Sequence, residues 1–128
     1  AVCPKSLSGI FAGAWTDSFW LGPTLLDAYA GDSVVTFTAT AGTTGKYTES
    51  DRYVSRTTGL SGTESALGSY SYSHDTCAGT IVVTDSNLGQ VTYNFIIINN
   101  GSKIQMTAKV LSSLGGETLD GVFTLELL

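Results

Sequence analysis

The chain has 128 residues, a length that suits one domain with one hydrophobic core. Only 13% of its residues are charged and the net charge is −5. The scattered lysines and arginines therefore cannot form the basic surface that nucleic acid or an anionic membrane requires. No apolar run approaches the roughly 18 residues of a membrane span. We expect neither a nucleic-acid partner nor membrane insertion.

The N-terminal part of the chain predicts one strand followed by an irregular segment. Residues 7–15 (LSGIFAGAW) have the composition of a strand. Residues 19–32 are apolar, contain Pro23 and interrupt the strand pattern, with one helical turn expected around Leu25 to Tyr29. We interpret this insertion as a lid or plug over one end of a barrel, or as a small secondary core packed beneath it.

Apolar and polar residues alternate with a period of two along the rest of the chain, which is typical of half-buried strands. The alternating runs span residues 34–41, 46–54, 68–73, 80–84, 90–98, 102–110 and 120–128. Short links that contain glycine or asparagine join several of them, as in antiparallel hairpins. The polar, glycine-containing stretch 55–68 predicts a long loop.

These patterns predict eight strands, arranged mostly as hairpins between sequence neighbours. Eight up-and-down strands can close into a barrel, which removes the exposed edges of an open sheet. We therefore predict a single all-β domain over residues 1–128, an eight-stranded antiparallel up-and-down β-barrel. A β-sandwich built from the same strands is the alternative.

Cys3 and Cys77 are the two cysteines of the chain. Two cysteines cannot form a four-cysteine zinc site, and no Cys-x-x-Cys motif is present. A disulfide is favoured, with two free buried thiols or one reactive thiol as alternatives. His74, the single histidine, adjoins Asp75 at a predicted turn and is interpreted as a solvated residue. No metal site and no cofactor are expected.

Four segments carry a recurrent arrangement of motifs. They are Cys3 followed by LSGIFAG, then GSYSYSHDTCAGT, YNFIIINNGSKIQM and, near the C terminus, LDGVFTLEL. This arrangement resembles exported bacterial small barrels of the lipocalin-like or calycin-like kind, most of which have no assigned activity. The resemblance implies a barrel fold, pairing of Cys3 with Cys77, and a secreted or periplasmic location. The initial AVCP is also typical of a processed N terminus.

Aromatic side chains are the leading candidates for a binding site. Inward positions of an eight-stranded barrel either fill the core or surround one small ligand. The candidate lining residues are Trp15, Trp20, Tyr29, Tyr70 and Tyr93. Glu49 and Asp51 lie two residues apart on one strand face and are candidates for acid–base chemistry.

The leading functional prediction is a secreted barrel that binds a small hydrophobic or aromatic molecule in its interior, without catalysis. One alternative is a subunit of an extracellular filament or surface assembly, which would self-associate by packing its apolar region 1–32 on a neighbouring subunit. The other alternative is a cofactor-free cyclase or isomerase, in which Glu49 or Asp51 would polarise the substrate.

Overall fold

The computed structural model describes residues 3–108 and 117–128, which form a closed barrel. Its strands are β1 (Gly9–Leu21), β2 (Thr24–Ala41), β3 (Thr44–Ser55), β4 (Ser61–Tyr72), β5 (Ala78–Asp85), β6 (Gly89–Ile98), β7 (Lys103–Ala108) and β8 (Thr118–Leu127). Each strand pairs antiparallel with the next, and β8 pairs antiparallel with β1. The predicted eight-stranded up-and-down barrel is confirmed, and the sandwich alternative is wrong.

Two segments differ from their predicted structure. Residues 19–32 contain no helical turn, because they form the ends of β1 and β2 on either side of a turn at Gly22, where φ is 57°. The loop predicted over 55–68 is limited to residues 56–60, because β4 begins at Ser61. A role of residues 19–32 as a lid stays a prediction. Residues 109 and 110 of the predicted run 102–110 lie outside the described residues.

The N-terminal segment covers one end of the barrel, which we call the closed end. This end also carries the turns at residues 42–43, 73–77 and 99–102. The segment is held by a disulfide between Cys3 and Cys77, whose Cα atoms are 5.3 Å apart. Leu7 is buried, and its carbonyl oxygen accepts a hydrogen bond from the Tyr70 hydroxyl. The Tyr72 hydroxyl donates to the carbonyl oxygen of Pro4 at 2.7 Å.

Aromatic rings fill the half of the barrel next to the closed end. Phe37 lies at the centre of this layer, with its ring centroid 5.5 Å from that of Phe11 and 5.1 Å from that of Tyr70. Both contacts are edge-to-face, the arrangement that aromatic quadrupoles favour. Phe95 and Tyr72 continue the layer with a centroid distance of 6.3 Å. This half is therefore a packed core.

Glycines on the inner face make room for the largest rings. Gly31 is the direct cross-strand partner of Trp15, and a Cβ atom on Gly31 would lie 2.6 Å from Cζ2 of that indole. Other pairs follow the same rule on neighbouring strands: Gly62 with Tyr53 and Gly45 with Tyr70. A large ring on one strand therefore occupies the volume of a missing side chain on the next.

Removal of the disulfide should destabilise the barrel without changing its topology. The link joins residues that are 74 positions apart, so it restricts the unfolded chain strongly. We expect the double substitution Cys3→Ala with Cys77→Ala to lower the free energy of unfolding by about 4 kcal/mol. Urea denaturation followed by tryptophan fluorescence measures this change, with reduced wild-type protein as the control. An unchanged midpoint would contradict the prediction.

Candidate functional site

The inner wall away from the closed end carries five acidic side chains, which we call the acidic cluster. Its members are Asp17 on β1, Glu49 and Asp51 on β3, Glu64 on β4, and Asp85 on β5. Asp17 and Asp51 are only 7% and 2% exposed, Glu49 and Asp85 are also buried, and Glu64 is half-buried. The register places Glu64 directly opposite Asp51. Barrel closure thus collects acids that are distant in sequence.

Hydroxyl groups hold the two acids of β3. Tyr47 donates a hydrogen bond to Oε1 of Glu49, and Tyr93 donates to Oε2 of Glu49 at 3.5 Å. Ser33 donates to Oδ1 of Asp51. All of these hydrogen bonds are buried. Glu49 and Asp51 are therefore fixed in position by neighbours on three strands.

Asp85 also shapes the turn between β5 and β6. Its Oδ1 accepts hydrogen bonds from the backbone N–H groups of Asn87 at 2.8 Å and Leu88 at 3.1 Å. Aspartate commonly begins a turn in this way, because its short side chain reaches the backbone two residues later. Gly89 ends the turn with a φ of 79°. The same carboxylate thus belongs to the acidic cluster and orders the segment that carries Leu88.

Burial and mutual repulsion raise the pKa values of Asp17, Glu49, Asp51 and Glu64. Burial, together with the charges of Asp51 and Asp85, raises the pKa of Asp17 to about 7. Burial and the interaction with Glu49 raise the pKa of Asp51 to about 9, and burial also raises the pKa of Glu49. Burial and the charge of Asp85 raise the pKa of Glu64 to about 9. At neutral pH the cluster therefore retains protons that exposed carboxyls would have lost.

Several polar atoms of this region are buried without a hydrogen-bond partner among the described residues. They are Oδ1 of Asp17, Oδ2 of Asp51, and the indole nitrogens of Trp15 and Trp20. Buried polar groups without partners are uncommon in folded proteins, because they have lost water and gained nothing in exchange. Two of the four atoms are carboxylate oxygens of the acidic cluster.

No basic side chain of the described residues compensates the cluster. Lys5, Lys46, Arg52 and Arg56 are exposed, and Lys103 is half-buried at the start of β7, near the closed end. Arg52 contacts Asp32 at 3.4 Å on the outer surface, where their side chains are 80% and 68% exposed. The interior of the described barrel therefore has acids without a cationic counterpart.

A pocket opens beside the cluster, at the end of the barrel opposite the closed end, and we call it the mouth pocket. Its volume is about 230 Å³, and its walls are Phe19, Tyr29, Tyr53, Glu64, Asn87 and Leu88. The Tyr29 ring packs edge-to-face against Phe19, with centroids 5.6 Å apart, and against Tyr53, with centroids 5.5 Å apart. Glu64 is the acidic wall of the pocket and links it to the buried carboxyls.

The aromatic candidates from the sequence lie in different parts of the barrel. Tyr29 lines the mouth pocket. Trp15 and Tyr93 are buried against the two sides of Phe123, with centroid distances of 5.6 and 5.3 Å. Tyr70 is part of the aromatic layer near the closed end.

Trp20 and the two acid candidates, Glu49 and Asp51, do not line the mouth pocket. Trp20 is half-buried and follows a register shift after Phe19. Glu49 and Asp51 lie together on the inner wall but are not part of the mouth pocket. Sequence reasoning missed Glu64, because it lies in the predicted loop. It also missed Tyr53 as a wall residue, although Tyr53 continues the alternating face of Glu49 and Asp51.

Comparison with known proteins gives no relative from which to transfer a function. No family model matches the chain, and neither a curated protein nor a solved structure matches it.

Within residues 3–108 and 117–128, no group of three or more histidine, cysteine, aspartate or glutamate side chains is arranged to hold a metal ion. No helix in this described part is long and apolar enough to cross a membrane.

Replacement of Asp51 by asparagine should stabilise the protein at high pH. An ordinary aspartate has a pKa of about 3.9, whereas that of Asp51 is about 9 in the folded barrel. Between these values the folded protein holds a proton that the unfolded chain has lost, so the free energy of unfolding falls as pH rises. The asparagine side chain stays neutral at every pH. The free energy of unfolding of Asp51→Asn should therefore exceed that of the wild type by about 1–4 kcal/mol at alkaline pH and differ little from it at acid pH.

Thermal denaturation from about pH 4 to about pH 9 measures this dependence. Asp120→Asn is the matched control, because Asp120 is an exposed acid on β8 and its replacement should leave the pH slope unchanged. An identical slope in wild type and Asp51→Asn would refute the predicted contribution of Asp51.

Proposed function

We propose that this protein binds a small aromatic or hydrophobic molecule at the mouth of the barrel. The observation that supports this function is the mouth pocket of about 230 Å³, in which three aromatic rings and Leu88 surround one carboxyl group. Ligand pockets are typically apolar concavities with a few polar groups that fix the orientation of the ligand. The volume suits a ligand smaller than most drug-like molecules. Because rings fill the far half of the barrel, the ligand would sit at the mouth.

We also propose that the protein is located outside the cytoplasm. Cys3 and Cys77 lie at disulfide distance, and disulfides persist in oxidising compartments. The link fastens the closed end, so loss of the disulfide in a reducing compartment would weaken the barrel opposite the pocket. A secreted or periplasmic binding protein is consistent with this arrangement.

Binding is favoured over the two alternative functions. A cyclase or isomerase that used Glu49 or Asp51 would need its substrate beside these acids, and neither lines the mouth pocket. A filament subunit would need a contiguous apolar surface. Seven exposed aliphatic side chains lie one to a strand around the barrel: Ile10, Val34, Val54, Leu67, Val82, Ile96 and Val122. Leu21, Leu25 and Leu26 are also exposed and form one small apolar group, which is confined to the β1–β2 hairpin.

A neutral aromatic probe should bind at the mouth, and shortening of Leu88 should weaken its binding. We expect 2-phenylethanol to shift the amide NMR signals of the mouth-pocket residues and to leave those of the closed end unchanged. Leu88→Ala removes apolar contact area, so the dissociation constant should rise several-fold, since each buried methylene contributes about 0.8 kcal/mol.

Leu60→Ala is the matched control for this titration. Leu60 is 72% exposed on the loop between β3 and β4 and does not line the pocket. Its replacement should leave the affinity unchanged. If neither 2-phenylethanol nor a charged analogue of the same size shifts the mouth signals, or if both variants bind as the wild type does, the proposed site is wrong.

A further inference from the structure

The walls of the mouth pocket differ from those of a purely apolar site. Glu64 contributes a carboxyl group to the wall, and the rings of Tyr29 and Tyr53, which pack edge-to-face, line the same pocket. Aromatic rings attract cations through their quadrupole, and a carboxylate attracts them through its charge. A neutral ligand would use the rings alone, whereas a cation could also pair with Glu64 once that carboxyl group has lost its proton.

The chain supplies no cation of its own to this region, within the residues that the structure describes. Five acids face the interior, while four of the described lysines and arginines are exposed and the fifth lies near the closed end. Oδ1 of Asp17 and Oδ2 of Asp51 are buried, and no described residue forms a hydrogen bond with either atom. Both acids act electrostatically on Glu64. The negative potential of the cluster is therefore directed toward the wall of the pocket at Glu64.

We propose that the ligand of the mouth pocket is a protonated organic amine with a small aromatic or aliphatic body. Its ammonium group pairs with the carboxylate of Glu64, and its body packs against Phe19, Tyr29, Tyr53 and Leu88. An ammonium group has three N–H donors, so it can satisfy Glu64 and still interact with a ring or with Asn87. This inference rests on the proposed binding function and specifies its ligand class.

Binding of the amine expels a proton from the cluster. A protonated carboxyl group at Glu64 and an ammonium ion give an ion pair and one proton in solution; only the carboxyl O–H bond breaks. The groups that face or interact with Glu64 are Asp17, Glu49, Asp51, Asp85, Tyr29 and Tyr53. Amine affinity should therefore rise with pH between about 6 and about 8, a range in which an ordinary amine keeps its proton.

Three probes of similar size separate charge from shape. They are 2-phenylethylamine (a cation), 2-phenylethanol (neutral) and phenylacetate (an anion). In the wild-type protein at neutral pH and low salt, the amine should bind at least about tenfold more tightly than the alcohol. Phenylacetate should not bind detectably, because the cluster repels it. Isothermal titration calorimetry and amide NMR shifts provide the affinities and the location.

Glu64→Gln tests the role of the carboxyl group, because glutamine keeps its size and removes its charge. This variant should bind the amine only as tightly as the alcohol, with the alcohol affinity unchanged and no rise of amine affinity with pH. Glu126→Gln replaces an exposed acid on β8, near the closed end, and should behave as the wild type does. Amide NMR spectra of each variant verify that it is folded.

The outcomes distinguish this inference from the proposed function. If neither the alcohol nor the amine shifts signals at the mouth, both the proposed binding function and the amine inference are wrong. If the alcohol binds there and the amine binds no more tightly, the amine inference alone is overturned. If Glu64→Gln keeps the full preference for the amine, the assignment of Glu64 as the partner of the ammonium group is overturned. Amine binding that rises with pH in the wild type and is lost in Glu64→Gln supports it.

Discussion

Pairing between β1 and β8 closes the barrel, and the other features of the molecule depend on this closure. It fixes the alternation of every strand, because each second residue must then point into a space of limited volume. It also brings Asp17 on β1 into the same interior as Asp51 on β3 and Asp85 on β5. Without closure these acids would lie on an open sheet face, where water would solvate them.

The two halves of the interior have opposite chemistry. Near the closed end, rings and aliphatic side chains pack tightly and the N-terminal segment covers them, which stabilises the fold. Toward the mouth, buried carboxyls keep protons, and some of their oxygens have no hydrogen-bond partner in the described part of the chain, which destabilises the fold. Such a division is typical of proteins in which a stable scaffold supports a strained functional region. The disulfide lies on the stabilising side, at Cys3 and Cys77.

The sequence predicted the strand-rich architecture well, because seven of the runs alternate clearly. It also placed Glu49 and Asp51 on one face, and both lie on the inner wall. It failed at the start of β4, because glycine, alanine and Glu64 itself have low strand propensity, and the run of serine and glycine around them resembles a loop. This strand forms because β3 and β5 offer partners on both sides. The mouth pocket could not be predicted, since its walls come from separate strands that only the barrel register brings together.

The pairs of glycine and aromatic ring on neighbouring strands have a consequence for how this sequence can vary. Tyr53 and Gly62 share one volume across the β3–β4 pairing beside the mouth pocket, because the three atoms nearest to a Cβ atom on Gly62 would all belong to Tyr53. An enlarged residue at position 62 therefore requires a smaller one at position 53, so substitutions at the two positions are coupled. Gly31 is constrained further, because a Cβ atom there would meet both the Trp15 ring and the backbone oxygen of Arg52. The shape of the pocket can therefore be altered from position 62, which does not line it.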